Sequence, residues 1–118
     1  MKATRIPPDV DPEGRPSLSV TDERVEAWLG FEPRFTFPWS AFETVAIRFE
    51  PVLSEAWWEL NGGGHDFTAP VEMVVNADAL SKRLFALPGF DRATYGAARR
   101  AEAAGEEGEF ICWRKPKA

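Results

Sequence analysis

Only one cysteine, Cys112, and one histidine, His65, occur among the 118 residues, and each scarcity removes a class of chemistry. A lone cysteine can form no internal disulfide framework. A lone histidine excludes a multi-histidine metal site and makes any Ser-His-Asp or Cys-His arrangement depend on one side chain. No apolar run approaches the ~18 residues of a membrane helix, and Met1 to Pro8 lack the apolar segment of a signal peptide. Neither Gly-Lys-Ser/Thr nor Gly-x-Gly-x-x-Gly occurs. Basic charge is scarce too: the formal net charge is -5, leaving few cations to displace counterions from a phosphate backbone. The expectation is a cytoplasmic protein with no cofactor, no metal, no nucleic-acid partner and no membrane partner.

What the chain does have is apolar and aromatic. Hydrophobic residues make up 44% of it, with five tryptophans and nine phenylalanines, which suits one domain with a core dominated by rings. The charge is uneven. Residues 1–76 hold six basic and thirteen acidic groups, net -7, against eight and six, net +2, in residues 77–118. Residues 1–16 collect Pro7, Pro8, Pro12 and Pro16 among acidic residues and glycine, a mix with little to bury, and are expected to form a flexible proline-rich arm ahead of a single domain over 17–118.

From Ser17 the pattern has period two. Leu18 and Val20, then Val25, Ala27 and Leu29, alternate with polar residues around a turn at Thr21 to Arg24, which predicts a β-hairpin. A strand at Arg34 to Phe37 runs into Pro38, which implies an edge, a bulge or a bend before Trp39. Glu43 to Glu50 puts Val45, Ile47 and Phe49 on a core face. Glu55 to Leu60 puts Ala56, Trp58 and Leu60 on one face and Glu55, Trp57 and Glu59 on the other. The run Asn61-Gly62-Gly63-Gly64-His65 reads as a hairpin loop returning into Asp66 to Ala69.

Helices come late. Ala77, Leu80, Leu84 and Leu87 share one helical face, with Asn76 or Asp78 as cap and Pro88-Gly89 as stop. A second helix from about Asp91 carries Ala93, Ala97, Ala101 and Ala104 on one stripe. A terminal strand, Phe110 to Arg114, is expected to place Phe110, Cys112 and Arg114 on one face, and Ile111 and Trp113 on the other. The order predicts an α+β fold: a bent antiparallel sheet or partial barrel with two C-terminal helices and a final strand.

The succession Leu18 to Val25, Pro38-Trp39 with Phe42 and Val45, Trp57-Trp58-Glu59-Leu60, Leu87-Pro88-Gly89-Phe90-Asp91 and Phe110-Ile111-Cys112-Trp113-Arg114 resembles small uncharacterised bacterial proteins similar to pleckstrin-homology (PH)-like domains. The resemblance spans Ser17 to Arg114. It implies a bent sheet with a helix across its opening and brings no catalytic motif; this chain differs in ending on a strand after its helices.

The residues that could carry chemistry are few. His65 lies beside three glycines, a poor place to hold a catalytic base. Cys112 lies mid-strand between Ile111 and Trp113, as a buried free thiol does. Glu55 and Glu59 share a face with Trp57, a formal acid pair beside an aromatic. If Trp58 faces the core, Trp57 must face outward, under a helix, in a homodimer contact or in a partner groove. The leading expectation is a non-enzymatic module that docks a peptide or protein at a sheet edge or beside Trp57, with Arg48 the other candidate binding residue. The alternatives are a small enzyme working through His65 or Cys112, and an acidic immunity-type protein that neutralises a basic partner.

Overall fold

The alternation that begins at Ser17 closes a tight hairpin because Thr21 satisfies its turn. The Thr21 amide donates to the Arg24 carbonyl at 2.9 Å, and its hydroxyl accepts from the Glu23 and Arg24 amides at 3.2 Å. The computed structural model describes residues 16–29, 32–52, 55–72 and 74–116; the proline-rich arm expected over 1–16 lies outside them except for Pro16. Strands β1 (Ser17–Val20), β2 (Arg24–Leu29) and β3 (Glu32–Pro38) form one antiparallel sheet in the order β1-β2-β3. Pro33 and Pro38 both fall on β3, an edge of that sheet, where a missing ladder donor is tolerated. A short 3-10 turn, Trp39–Ala41, follows at once.

The second antiparallel sheet has four strands: β4 (Thr44–Glu50), β5 (Glu55–Gly62), β6 (His65–Pro70) and β7 (Gly108–Arg114), in the order β6-β5-β4-β7. Gly63 and Gly64 form the two-residue turn between β5 and β6 with φ of 56° and 79°. Positive φ at both positions is what a type I′ hairpin turn demands. Between β6 and β7 come α1 (Ala77–Phe85) and α2 (Arg92–Ala103). Leu18, Val25 and Phe37 of the first sheet pack with Val45, Ile47, Trp58, Leu60 and Phe67 of the second and with Leu80 and Leu84 of α1 in a single core. The fold is α+β, with two antiparallel sheets, neither closed into a barrel.

The terminal strand is tied to the segment between the helices. The Asp91 amide donates to the Cys112 carbonyl at 2.8 Å, and the Trp113 indole N–H donates to the Pro88 carbonyl at 2.9 Å. Asp91 also caps α2, accepting from the Thr94 amide at 2.9 Å and the Thr94 hydroxyl at 2.7 Å. Those bonds favour the charged carboxylate and hold its pKa below the ordinary value. Leu87 to Asp91 therefore ends α1, starts α2 and anchors part of the outer edge of β7.

Two expectations about faces need correction. In β7 the register with β4 slips between Val45 and Ala46, so that Ala46 faces Ile111, Val45 faces Trp113 and Cys112 is the extra residue of a bulge. The bulge resets the alternation. Phe110 and Trp113 both pack against the core, while Ile111 and Arg114 share the opposite face. On α2 the alanine stripe is not the buried one. Ala93 and Ala104 are exposed, whereas Ala98 is buried and Tyr95 packs on the core. The bulky Tyr95 ring, stacked on Trp58 at 5.7 Å, sets the rotation of the helix.

Candidate functional site

Adjacent residues of a strand point to opposite faces, and β5 exploits this at Trp57 and Trp58. Trp58 is fully buried, stacked on Tyr95 of α2, with its indole N–H donating to Ser81 of α1 at 3.2 Å. Both helices thus lie on the Trp58 side of the four-stranded sheet. Neither covers Trp57, so the covering-helix reading of that residue is wrong. Trp57 stands half-buried on the outer face with its indole nitrogen buried and without a hydrogen-bond partner.

The register fixes its neighbours. Trp57 faces Arg48 on β4 and Pro70 on β6, and Arg48 faces Glu109 on β7. One step along, Glu59 faces Ala46 and Thr68, and Ala46 faces Ile111. One step the other way, Glu50 faces Glu55. Arg48 reaches Glu50 at 3.5 Å and Glu59 at 3.7 Å through Nη1, while its Nε is buried and without a partner. The predicted pair of binding residues, Trp57 and Arg48, therefore meets side by side on one open face. Glu55 and Glu59 share that face with Trp57, and Glu59 also feels the carboxyl of Glu109.

Ala46, opposite Glu59, is the smallest side chain on this part of the face and is buried, 5% exposed. Burial, and after it the neighbouring Glu109 carboxyl, push the Glu59 carboxyl from 4.5 up to about 7, with Arg48 opposing them. A carboxyl with a raised folded pKa binds its proton more tightly in the native state. Its contribution to stability is complete below about pH 4.5 and is lost as the pH rises through 7. Glu59→Gln keeps a donor for Glu109 and removes the titration. It is expected to raise stability at about pH 8 by roughly 2 kcal/mol and to flatten the dependence between about pH 5 and 8, measured by urea unfolding across that range.

Glu109, Ile111 and Ala46 join this face through the pairing of β7 with β4, which strand alternation alone does not reveal. The sequence clue is limited to a small residue, Ala46, flanked on its own strand by bulkier ones.

The residues invoked for an enzyme lie apart from this arrangement. His65 is exposed beside the glycine turn, its ring edge-on to Phe37 at 6.2 Å. Cys112 is buried, and burial together with the Asp91 charge pushes its thiol up to about 11. A nucleophilic cysteine needs the opposite shift. In the folded protein Cys112 is expected to stay unmodified by a thiol reagent at neutral pH and to react fully once denatured, as a colorimetric thiol assay can follow. Among the described residues there is no cluster of three His, Cys, Asp or Glu able to hold a metal, and no helix long and apolar enough to cross a membrane.

No protein-family model, curated protein or solved structure matches this chain. The functional reading therefore rests on the outer face alone.

Proposed function

We propose that the domain is a protein-interaction module of pleckstrin-homology-like type and that a protein or peptide docks on the outer face of its four-stranded sheet around Trp57 and Arg48. The observation that carries this reading is the position of Trp57: a large aromatic on a sheet face that neither helix covers, with an unpartnered indole N–H. Tryptophan and arginine are the residue types that most often anchor interfaces. Ile111, 39% exposed, extends the apolar patch toward β7. A homodimer through this face is disfavoured, since it sets Glu50, Glu55, Glu59 and Glu109 of one copy against the same carboxylates of the other. Supporting the family reading are the order of strands before helices and the two antiparallel sheets around one core. A cytoplasmic location is in keeping with the single, buried cysteine, for which this chain offers no disulfide partner.

Photo-crosslinking tests the docking site. A photoreactive residue placed at Thr68, exposed on the same face opposite Glu59, is expected to give a discrete protein adduct in the cells of origin, competed away by excess wild-type protein but not by Trp57→Ala. The same residue at Val52, exposed on the β4-β5 turn, is expected to give none. Equal adducts at both positions, or none at 68, would reject this face as the docking surface.

A further inference from the structure

The three-stranded sheet has a face turned away from the core, and side chains on that face are covered. Leu18, Val25 and Phe37 point into the core, so Ser17 and Ser19 of β1 and Glu26 and Trp28 of β2, which alternate with the core positions, point outward. Ser17 faces Trp28 across the two strands, and Ser19 faces Glu26. The outer face of an antiparallel sheet is ordinarily wet, yet Ser17 and Ser19 are 1% exposed and Trp28 is 4% exposed. Trp28 takes no part in the core cluster. Its indole nitrogen and the Ser19 hydroxyl are both buried without a hydrogen-bond partner, whereas the indoles of Trp39, Trp58 and Trp113 each donate to a neighbour. Burial of this kind needs a covering layer.

We propose that this outer face is a proline-binding surface with Trp28 as its platform, occupied by the chain's own N-terminal residues 1–15. The place where they join the sheet fits. Pro16 immediately precedes Ser17, which stands directly opposite Trp28, and the Pro16 carbonyl accepts from the Val75 amide at 3.2 Å, which fixes the point of entry. The length fits as well. Residues 1–15, at about 3.1 Å each in a proline-type helix, can reach well beyond the roughly 10 Å across three strands. The other segments outside the described residues, 30–31, 53–54, 73 and 117–118, hold one or two residues each, too few to cover the face from Trp28 to Ser19.

The chemistry selects proline. Trp28 and Ser19 present buried donors that lack an acceptor. A segment with Pro7, Pro8 and Pro12 offers carbonyls, while its prolines carry no N–H of their own to be satisfied. Proline rings pack on aromatic side chains in the way that aromatic-lined grooves hold extended proline-rich chains, and the fixed φ of proline lowers the entropy lost on docking. Tethering beside the site also raises the effective concentration of the arm there. The two sheets then differ in their outer faces: the one around Trp28 is taken by the chain itself, and the one around Trp57 is proposed to receive a partner. Neither assignment depends on the other.

The test uses the intact chain of 118 residues, isotope-labelled for NMR and carrying a nitroxide on Val10→Cys. Cys112 is buried and stays unlabelled. The nitroxide is expected to broaden the Trp28 indole resonance and the Glu26 amide strongly and to leave the Trp57 indole sharp. The same labelled chain with Pro7→Gly/Pro8→Gly/Pro12→Gly keeps the length and charge of the arm. It is expected to lose most of that broadening. Without the nitroxide, a soluble gadolinium chelate is expected to relax the Trp28 ring protons of the triple-glycine chain several-fold faster than those of the wild type. Unchanged amide shifts at Ile47 and Trp58, in the second sheet, check the fold of each variant. Broadening no greater at Trp28 than at Trp57, or a Trp28 ring as shielded from the chelate in the triple-glycine chain as in the wild type, overturns the proposal.

Discussion

Replacing Trp58 by alanine is expected to cost about 4 kcal/mol, in the range of large aromatic truncations in a packed core. The ring is fully buried and is the centre of an aromatic cluster: stacked on Tyr95 at 5.7 Å and edge-on to Phe85 and Phe90, each at 6.2 Å. Its indole N–H also holds Ser81 of α1. Removing it leaves a cavity where β5 meets both helices and frees polar groups that it satisfied. Small domains have about 5 to 15 kcal/mol of stability in all, so the variant is expected to unfold at a much lower urea concentration than the wild type. Trp57→Ala, one residue away on the open face, is expected to cost only about 1 kcal/mol. The contrast between neighbours measures the division of labour between the two faces: one holds the helices, the other is the proposed docking face.

The second large effect concerns Gly62, the last residue of β5. A Cβ built there falls 1.8 Å from the Ala41 carbonyl oxygen and 2.7 Å from the Glu43 nitrogen, both backbone atoms. That backbone cannot yield cheaply, because the Glu43 amide donates to the Asn61 carbonyl at 2.9 Å and the Phe42 amide to the Trp39 carbonyl at 3.3 Å. The backbone of Gly62 also has φ of 152°, outside the usual range of L residues. Gly62→Ala is expected to cost roughly 3 kcal/mol or more. Gly64, two residues on, has φ of 79° and open space around its position, so Gly64→Ala carries only the backbone term, about 1 kcal/mol. Urea midpoints of the two variants separate steric exclusion at 62 from turn conformation at 64. Three consecutive glycines look interchangeable in the sequence, but a Cβ at Gly62 collides with the backbone of another segment, one at Gly63 falls 3.2 Å from the Ala41 Cβ and one at Gly64 meets nothing.

The strands were legible because their apolar positions alternate cleanly. Val45, Ile47 and Phe49, and Ala56, Trp58 and Leu60, are buried as their spacing requires, and the outward direction of Trp57 follows from that of Trp58. Periodicity fails where a single residue interrupts it. The bulge at Cys112 turned Trp113 to the core and Arg114 to the outer face, and nothing local in Phe110 to Arg114 announces an extra residue. On α2 the many alanines masked the face that matters, since a helix is oriented by its largest buried side chain, here Tyr95, rather than by its small ones. The candidate site was legible by half. Trp57 and Arg48 could be placed on one side of adjacent strands, but the convergence of Glu59 on Glu109 depends on which strand β7 joins. Residues separated by fifty positions come together only once that pairing is made.

The Glu59 carboxyl sits among the charges of the outer face beside Trp57 and Arg48, and its titration can be measured directly. Side-chain 13C shifts of Glu59, followed by NMR from acid to mildly alkaline pH in the intact protein, should titrate with a midpoint near 7, and Glu109→Gln should move that midpoint downward. A Glu59 midpoint near the ordinary 4.5, unchanged by Glu109→Gln, would contradict the burial of Glu59 beside Glu109 on the outer face.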